Sequence, residues 1–261
     1  MHKNTFLKDY KTEIDLFIAA ALKEDIGNGD HTSQSCLSNN NISRANLLVK
    51  EAGIIAGVEL AKHILKTKNE TFTFETKIAD GAWVNTGDVV FTVEGPQLEL
   101  LATERLVLNC MQRMSAIATK TDYFSNLIAP YNVKILDTRK TTPNFRICEK
   151  WAVKIGGGVN HRFGLYDQVL IKDNHIKAAG GIREAVAQIK TSLPHTSKIE
   201  VEVENLKDLM TAIDVGADIV MLDNMSNEMM TQAVILTNGQ VILEASGNMT
   251  LERLEGVAKT G

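Results

Sequence analysis

The sequence predicts a mixed α/β fold, and three features of its pattern carry that prediction. Apolar runs of four or five residues alternate with helical patterns in the second half of the chain. The last three of these runs recur at intervals of roughly 20 residues, whereas the first half has short apolar runs separated by glycine. Because parallel strands need a crossover of about this length, a (β/α) barrel of the TIM type is the simplest closure of the repeats.

The first half is expected to begin with a helix at Ile14–Lys23, followed by a polar turn at Glu24–Ser33. Apolar residues on both sides of Thr86-Gly87-Asp88 predict a small hairpin within Asp80–Gly95, and a long helical pattern runs from about Leu98 to Leu127. Two further strand-like runs occupy Arg44–Gly57 and Phe72–Thr76.

The second half predicts five strands and the helices between them. The strands are expected at Val133–Asp137, Gln168–Lys172, Ile199–Val203, Ile219–Leu222 and Val241–Ala245. The helices are expected at Ile182–Lys190, Leu206–Ile213 and Asn227–Leu236, with one more beginning near Thr250.

Composition and charge exclude several classes of protein. The chain has 261 residues, of which 44% are hydrophobic and 23% charged, as in ordinary globular proteins. Its formal net charge of -4 argues against a general binder of nucleic acids or anionic membranes. Three scattered cysteines without a Cys-x-x-Cys pair indicate free thiols and no structural zinc site. Because no apolar signal region or membrane span is evident, we expect a cytoplasmic protein.

Polar residues follow every predicted strand of the second half, where a barrel carries its chemistry. They occur at Asp137–Lys140, Lys172–His175, Glu202–Glu204, Asp223–Asn224 and Glu244–Gly247. The chain between Arg139 and His175 also holds seven Lys or Arg residues against three acidic ones. This pattern favours a site for a multiply charged anion, and the alternative is a set of solvated loop starts.

Several cationic residues in this region are candidates for binding the anion. Arg139 offers a bidentate fork with Lys140 beside it, and Lys172 ends a strand, with Asp173 able to orient either Lys172 or His175. We expect His175 to support the site rather than to act as a base. The glycines at 156–158 precede His161 and Arg162 and predict a ligand loop, the alternative being a flexible connector.

Carboxylates and small residues complete the predicted site. Glu200, Glu202 and Glu204 share one strand face, where cations or a bound Mg²⁺ would have to compensate them. Glu202 with Asp223 could hold Mg²⁺ or bind ribose hydroxyls. Ser246-Gly247-Asn248 precedes a predicted helix and could bind phosphate, although a simple helix cap accounts for it equally well.

Together these segments resemble the quinolinate phosphoribosyltransferase family from about Glu24 to Gly261. The matching stretches are EDIGNGDHTS, ATERLVLNCMQRMSAIAT, DTRKTTPNFR, KIGGGVNHRFGLYDQVLIKDNH, EVEVEN, MLDNM and EASGN. The resemblance implies an N-terminal α/β sandwich at residues 1–111 and an open (β/α) barrel at 112–261. One departure is Asn144, where the family usually has glycine. A second is that family members continue past Gly261, so the barrel is expected to lack its last strand and the phosphate site to be incomplete.

The resemblance also implies a reaction, phosphoribosyl transfer to quinolinate with loss of CO₂, aided by Mg²⁺ and no organic cofactor. The implied catalytic residues are Lys140, Lys172, Glu202 and Asp223, of which Glu202 and Asp223 would also hold the metal. The implied substrate-binding set comprises these four with Arg105, Thr138, Arg139, His161, Arg162, Ser246, Gly247 and Asn248. A homodimer or hexamer is implied, in which Arg105 is donated to the neighbouring subunit's site.

Three alternatives remain open from the sequence. One is a ModD-like relative of the same fold that acts on another anion. Another is a biotinyl- or lipoyl-type carrier, although the Thr86-Gly87 turn lacks the lysine that a carrier needs. The third is a non-catalytic scaffold.

Overall fold

The computed structural model describes residues 5–38 and 41–261, so the first four residues of the predicted N-terminal domain, together with Asn39 and Asn40, lie outside it. The chain forms two compact units. One comprises the chain up to Ser125 together with Ile135–His161, and the other comprises Asn126–Lys134 and Arg162–Gly261. The predicted division after residue 111 stays a prediction.

The first unit carries an antiparallel sheet, a two-stranded ribbon and the longest helix of the described chain. Its elements are α1 (Phe6–Asp9), α2 (Lys11–Ile26), α3 (His31–Cys36), β1 (Ile42–Leu48), β2 (Gly53–Ile54), α4 (Val58–Lys68), β3 (Thr73–Thr76), β4 (Trp83–Val84), β5 (Val89–Pro96), α5 (Gln97–Ile128, whose last three residues fall in the second unit) and α6 (Arg146–Ile155). The predicted long helix is therefore confirmed as α5. The polar turn is only partly correct, because the Asp30 carboxylate accepts a hydrogen bond from the Ser33 N–H and caps α3.

The predicted hairpin is wrong, although its turn exists. The Asn85 N–H donates to the Asp88 carboxylate over 2.8 Å and closes the turn. The strands on either side then diverge, since β4 pairs with β2 whereas β5 lies between β1 and β3. Both edges of β5 are already hydrogen-bonded, to β1 and to β3, so β5 has no free edge with which β4 could pair.

The second unit is a parallel sheet covered by helices. Its elements are β6 (Val169–Ile171), α7 (Asp173–Ala179), α8 (Ile182–Ser192), β7 (Ile199–Val203), α9 (Leu206–Asp214), β8 (Ile219–Asp223), α10 (Asn227–Thr237), β9 (Ile242–Ser246) and α11 (Leu251–Ala258). The strands pair in the order β6-β7-β8-β9, all parallel. The predicted α/β class, with a C-terminal parallel sheet, is confirmed; closure into a barrel stays a prediction.

One side of this sheet is apolar. Val201, Val203, Val220 and Leu222 form a buried core with apolar residues of α8, α9 and α10. Since strand residues alternate between faces, the intervening positions, which include Glu200 and Glu202, project to the opposite side. The apolar packing thus fixes which strand side chains are available for chemistry.

The predicted strand at Val133–Asp137 is reduced to a single bridge, which joins Leu136 to Val159 in the first unit. The partner segment turns at Gly157, where φ is 85°, and forms a bridge only at Val159. A longer ladder therefore has no partner. Within the described ranges, no helix is long and apolar enough to cross a membrane.

Candidate active site

The predicted site residues are distributed over both units. The first unit holds Arg105, Thr138, Arg139, Lys140 and His161. The second unit holds Arg162, Lys172, Glu202, Asp223, Ser246, Gly247 and Asn248.

In the first unit, Arg139 and Lys140 lie in a tight turn. The Thr138 hydroxyl accepts a hydrogen bond from the Lys140 N–H over 3.0 Å, and the Thr141 N–H donates to the Arg139 carbonyl over 2.9 Å. The Arg139 Nε is buried and has no hydrogen-bond partner within the described part of the chain. An arginine fork in such a turn can pair with a carboxylate in bidentate fashion.

Beside this turn lies a buried network that the sequence did not indicate. The Lys150 side chain is fully buried on α6, and its ammonium contacts the Asp137 carboxylate and, over 3.0 Å, the His161 carbonyl. The same carboxylate accepts hydrogen bonds from the Asn160 amide and the His161 N–H, over 2.6 and 2.9 Å. Lys150 therefore compensates Asp137 and adds nothing to the cationic surface expected of the segment.

The other side of the turn is held by Glu149, also buried on α6. Its carboxylate accepts hydrogen bonds from the Thr142 N–H and hydroxyl, over 3.1 and 2.8 Å. Arg113 of α5 pairs with the same carboxylate over 2.8 Å. The segment from Asp137 to Thr142 is thus bound at both ends by α6.

Two of the three glycines at 156–158 pack closely against α5, and the ligand loop stays a prediction. A Cβ on Gly156 would lie 2.3 Å from the Ala118 carbonyl oxygen, and one on Gly158 would lie 2.8 Å from the Thr121 side chain. Both neighbours belong to α5, so these glycines let the α6 connection approach that helix closely. His161 follows them, held at its backbone by Asp137 and Lys150.

The backbone conformation at Asn144 explains why asparagine fits this position of the same segment. Its φ is 62°, in the left-handed region that glycine and asparagine adopt most readily. The departure from the usual glycine therefore retains the conformation.

In the second unit, Lys172 and Glu202 form an ion pair at the ends of β6 and β7. The Lys172 Nζ lies 3.0 Å from the Glu202 Oε2, with the lysine side chain 45% exposed and the glutamate 14%. The lysine retains donors that it can offer to a ligand. Arg162, which precedes this strand, is buried and donates to the Gln168 carbonyl.

The two glutamates of β7 and the one that follows the strand differ in burial. Glu200 is buried, Glu202 is partly buried and Glu204 is exposed. Asp223 ends β8 on the same face and accepts a hydrogen bond from the Asn224 amide over 2.7 Å. The polar face therefore opens toward the carboxyl ends of the strands, as predicted for a site.

The predicted supporting residues after Lys172 have separate roles. The His175 Nδ1 accepts a hydrogen bond from the Lys172 N–H over 2.9 Å and so holds the start of α7. Asp173 orients neither Lys172 nor His175, contrary to expectation. It pairs instead with Lys177 one helical turn later, and that contact lowers the pKa of its carboxyl group.

The loop at Ser246–Asn248 is fixed to the loop after β8. Gly247 is required there because a Cβ would lie 2.2 Å from the Asn224 Oδ1. Arg253 of α11 donates to the Gly247 carbonyl over 2.8 Å and also to the Met225 carbonyl, so one side chain ties the two loops together. Neither Ser246 nor Asn248 caps α11, whose N-cap residue is Thr250.

The contacts made by Asp137, Glu149, Lys150 and Arg253 were not predicted, although Asp137 was placed at a polar strand end and Lys150 was counted among the cations of the site. Each joins segments that are distant along the chain, and a single sequence contains no periodic signal for such contacts.

Arg105 lies exposed on α5, next to the exposed Glu104.

Comparison with known proteins identifies the family of this chain. Residues 30–115 match the profile of the quinolinate phosphoribosyl transferase N-terminal domain, and residues 117–261 match that of its C-terminal domain. The chain belongs to the quinolinate phosphoribosyltransferase family.

Individual relatives of this family cover most of the chain. A probable nicotinate-nucleotide pyrophosphorylase [carboxylating] from Synechocystis is 41% identical over 95% of the chain and 85% of its own length. Among solved structures, NadC from Streptococcus pyogenes superposes with a TM-score of 0.88 at 38% identity, over 94% of this chain and 86% of that one. The nicotinate-nucleotide pyrophosphorylase from Francisella tularensis gives 0.89 at 39% identity, over 96% and 88%.

Proposed function

We propose that this protein transfers the phosphoribosyl group of phosphoribosyl pyrophosphate to quinolinate, with decarboxylation, as a step of NAD biosynthesis. The products would be nicotinate mononucleotide, pyrophosphate and CO₂. The observation that carries the proposal is the buried, unsatisfied Arg139 Nε within a segment that matches this family. A planar dicarboxylate such as quinolinate matches the bidentate geometry of an arginine fork.

The cations are proposed to bind the two carboxylates of quinolinate. Arg139, His161, Arg162 and Lys172 are the cations assigned to this role. The geometry supports this in two respects: the Arg139 fork is half-buried, and the Lys172 ammonium is only partly occupied by Glu202. Partial burial strengthens such charge-assisted hydrogen bonds relative to bulk water.

The second substrate is assigned to the remaining predicted residues. Lys140, exposed beside Arg139, is proposed to contact phosphoribosyl pyrophosphate, with Thr138 holding its turn. Glu202 and Asp223 are proposed to bind ribose hydroxyls, and Ser246–Asn248 to receive phosphate.

The proposed reaction has two steps, and in each of them charge develops on the substrate. The pyridine nitrogen attacks the anomeric carbon as the bond to pyrophosphate breaks, through an oxocarbenium-like transition state. Carboxylates fixed on the polar face of the parallel sheet stabilise that cation electrostatically. The bond to the 2-carboxylate then breaks, its electron pair enters the quaternised ring and a proton replaces the lost CO₂.

Magnesium is proposed to accompany phosphoribosyl pyrophosphate. Glu202 and Asp223 fit a hard cation because both offer carboxylate oxygens on one face of the sheet. When bound, Mg²⁺ would neutralise charge on the departing pyrophosphate. Lys172, already paired with Glu202, limits how much of that carboxylate remains for a metal.

Assembly and location belong to the same proposal. A homodimer or hexamer with shared active sites would give the exposed Arg105 a ligand in the neighbouring subunit. The cytoplasm is proposed as the location because all three cysteines are free, as in reducing compartments.

The test is an assay of CO₂ release from quinolinate labelled at the 2-carboxylate. We expect release that requires both phosphoribosyl pyrophosphate and Mg²⁺, with nicotinate mononucleotide as the organic product. Nicotinate in place of quinolinate is the control and should give no product. Turnover of nicotinate but not quinolinate would refute the proposal and favour a relative acting on another anion.

A further inference from the structure

Two adjacent residues of α6, Glu149 and Lys150, contact the segment that carries Arg139 and Lys140 on its two sides. Both are buried although both are charged. Burying an unpaired charge is costly, so each must be compensated where it lies. Each also has a partner in the same short segment, Asp137 for Lys150 and Thr142 for Glu149.

On the N-terminal side, the Lys150 ammonium contacts Asp137, two residues before Arg139. It also donates to the His161 carbonyl, and Asp137 in turn accepts from the His161 N–H. One buried ion pair therefore fixes the start of the turn and the backbone of His161 together.

On the C-terminal side, Glu149 accepts two hydrogen bonds from Thr142, three residues after Arg139. Its other partner, Arg113, lies on α5 and is mostly exposed. Glu149 thus has one contact with the turn and one with the body of the unit, which lets the two contributions be tested separately.

We propose that Glu149 and Lys150 are positioning residues that hold Arg139, Lys140 and His161 in their reactive arrangement. The two residues act through Thr142, Asp137 and the His161 backbone. The inference rests on the proposed function. Because a displacement of about 1 Å in a catalytic group can cost on the order of 100-fold in rate, loss of either contact should be visible in turnover.

The decisive comparison uses Thr142, whose hydroxyl donates to Glu149. T142V removes the hydroxyl at nearly constant volume, whereas T142S keeps it. We expect T142V to lower kcat about 10-fold and T142S to stay within about twofold of the parent, since one loop-fixing hydrogen bond is lost only in the first. Equal kcat values for the two variants would overturn the role of Glu149.

Glu149 is tested directly by E149Q, with R113Q as the matched control. Each removes one charge of the same ion pair, so both should lower the thermal unfolding midpoint. Only E149Q should lower kcat, on the order of 100-fold, because only it disturbs the turn. If folded E149Q and R113Q have the same kcat, Glu149 has a purely structural role and the proposal fails.

Lys150 is tested by the double variant D137N/K150M, because K150M alone would leave Asp137 buried without its ion-pair partner. Folding is checked by circular dichroism. A folded double variant should have a greatly reduced kcat and a raised KM for quinolinate; parental values would overturn the role of Lys150. Parent protein that releases no CO₂ would refute the proposed function itself, whereas an active parent with active variants would refute only the positioning role.

Discussion

Lys172 and Glu202 are joined by an ion pair, with 3.0 Å between Nζ and Oε2, at the ends of two neighbouring parallel strands. Each residue thereby sets the orientation of the other. The lysine is held over the polar face of the sheet, and the glutamate keeps one oxygen for a second partner. Two residues predicted separately from the sequence therefore act as one unit.

The first prediction concerns this coupling. K172M and E202Q should each lower kcat/KM by about 100-fold or more, because each leaves the other residue misplaced. The double variant should be much less impaired than the product of the two single effects. A double-mutant cycle on kcat/KM measures this, and strictly multiplicative effects would show that the two residues act independently.

The second prediction concerns the fork of Arg139. R139K keeps the positive charge but loses bidentate geometry, so kcat/KM for quinolinate should fall by about 100-fold. The KM for phosphoribosyl pyrophosphate should change little. Arg44, exposed on β1 near Glu75, provides a control: R44K should leave both constants unchanged. A matching loss in R44K would mean that the effect is not specific to the site.

Local patterns predicted much of this fold. The alternation in Ile199–Val203 defines β7 correctly because one face is apolar and the other acidic. In the same way, the helical spacing of apolar residues predicted both ends of α5 to within one residue. Where one face of a helix or strand is buried, the spacing of the apolar residues indicates which face that is.

Long-range pairing was not predictable in the same way. Lys150 was counted among the cations of the site, yet it lies fully buried against Asp137. The glycines at 156–158 were predicted to approach a ligand, and two of them, Gly156 and Gly158, pack closely against α5. In both cases the residue type was informative but its partner lies elsewhere in the chain, and only the fold identifies that partner.

The third prediction concerns Asp80, which caps a helix from a distance. The N-cap residue of α4 is Gly57, which has no side chain, and the Asp80 carboxylate accepts hydrogen bonds from the N–H groups of Val58 and Glu59 over 2.8 and 3.3 Å. D80A should therefore lower the free energy of unfolding by about 1 kcal/mol at neutral pH. Urea denaturation measures the change.

The same carboxyl predicts a pH dependence. Burial raises the pKa of the Asp80 carboxyl above its usual range, despite the backbone hydrogen bonds that oppose this. The native protein then binds a proton at pH values where the unfolded chain does not, so stability from this group rises as pH falls toward about 4. Compared with D80N, the parent should gain stability as the pH falls from 7 toward about 4. An unchanged or opposite difference would contradict the raised pKa.

The fourth prediction concerns Asn144 and its left-handed backbone. N144G should be neutral or nearly so, because glycine adopts a φ of 62° without strain. N144V should lower the free energy of unfolding by about 1–2 kcal/mol, since a β-branched residue is strained there. Thermal unfolding of the two variants tests this, and equal stability would argue against the left-handed conformation.

The last prediction concerns thiol reactivity, which depends on the thiolate. Cys36 is exposed, whereas Cys110 and Cys148 are buried. Burial raises the pKa of Cys110 to about 12 and also raises the pKa of Cys148, so neither forms appreciable thiolate near neutral pH. A thiol-specific chromogenic reagent should therefore label one cysteine in the native protein and three in denaturant. C36S should abolish the native reaction; rapid labelling that persists in C36S would mean that a buried thiol is accessible.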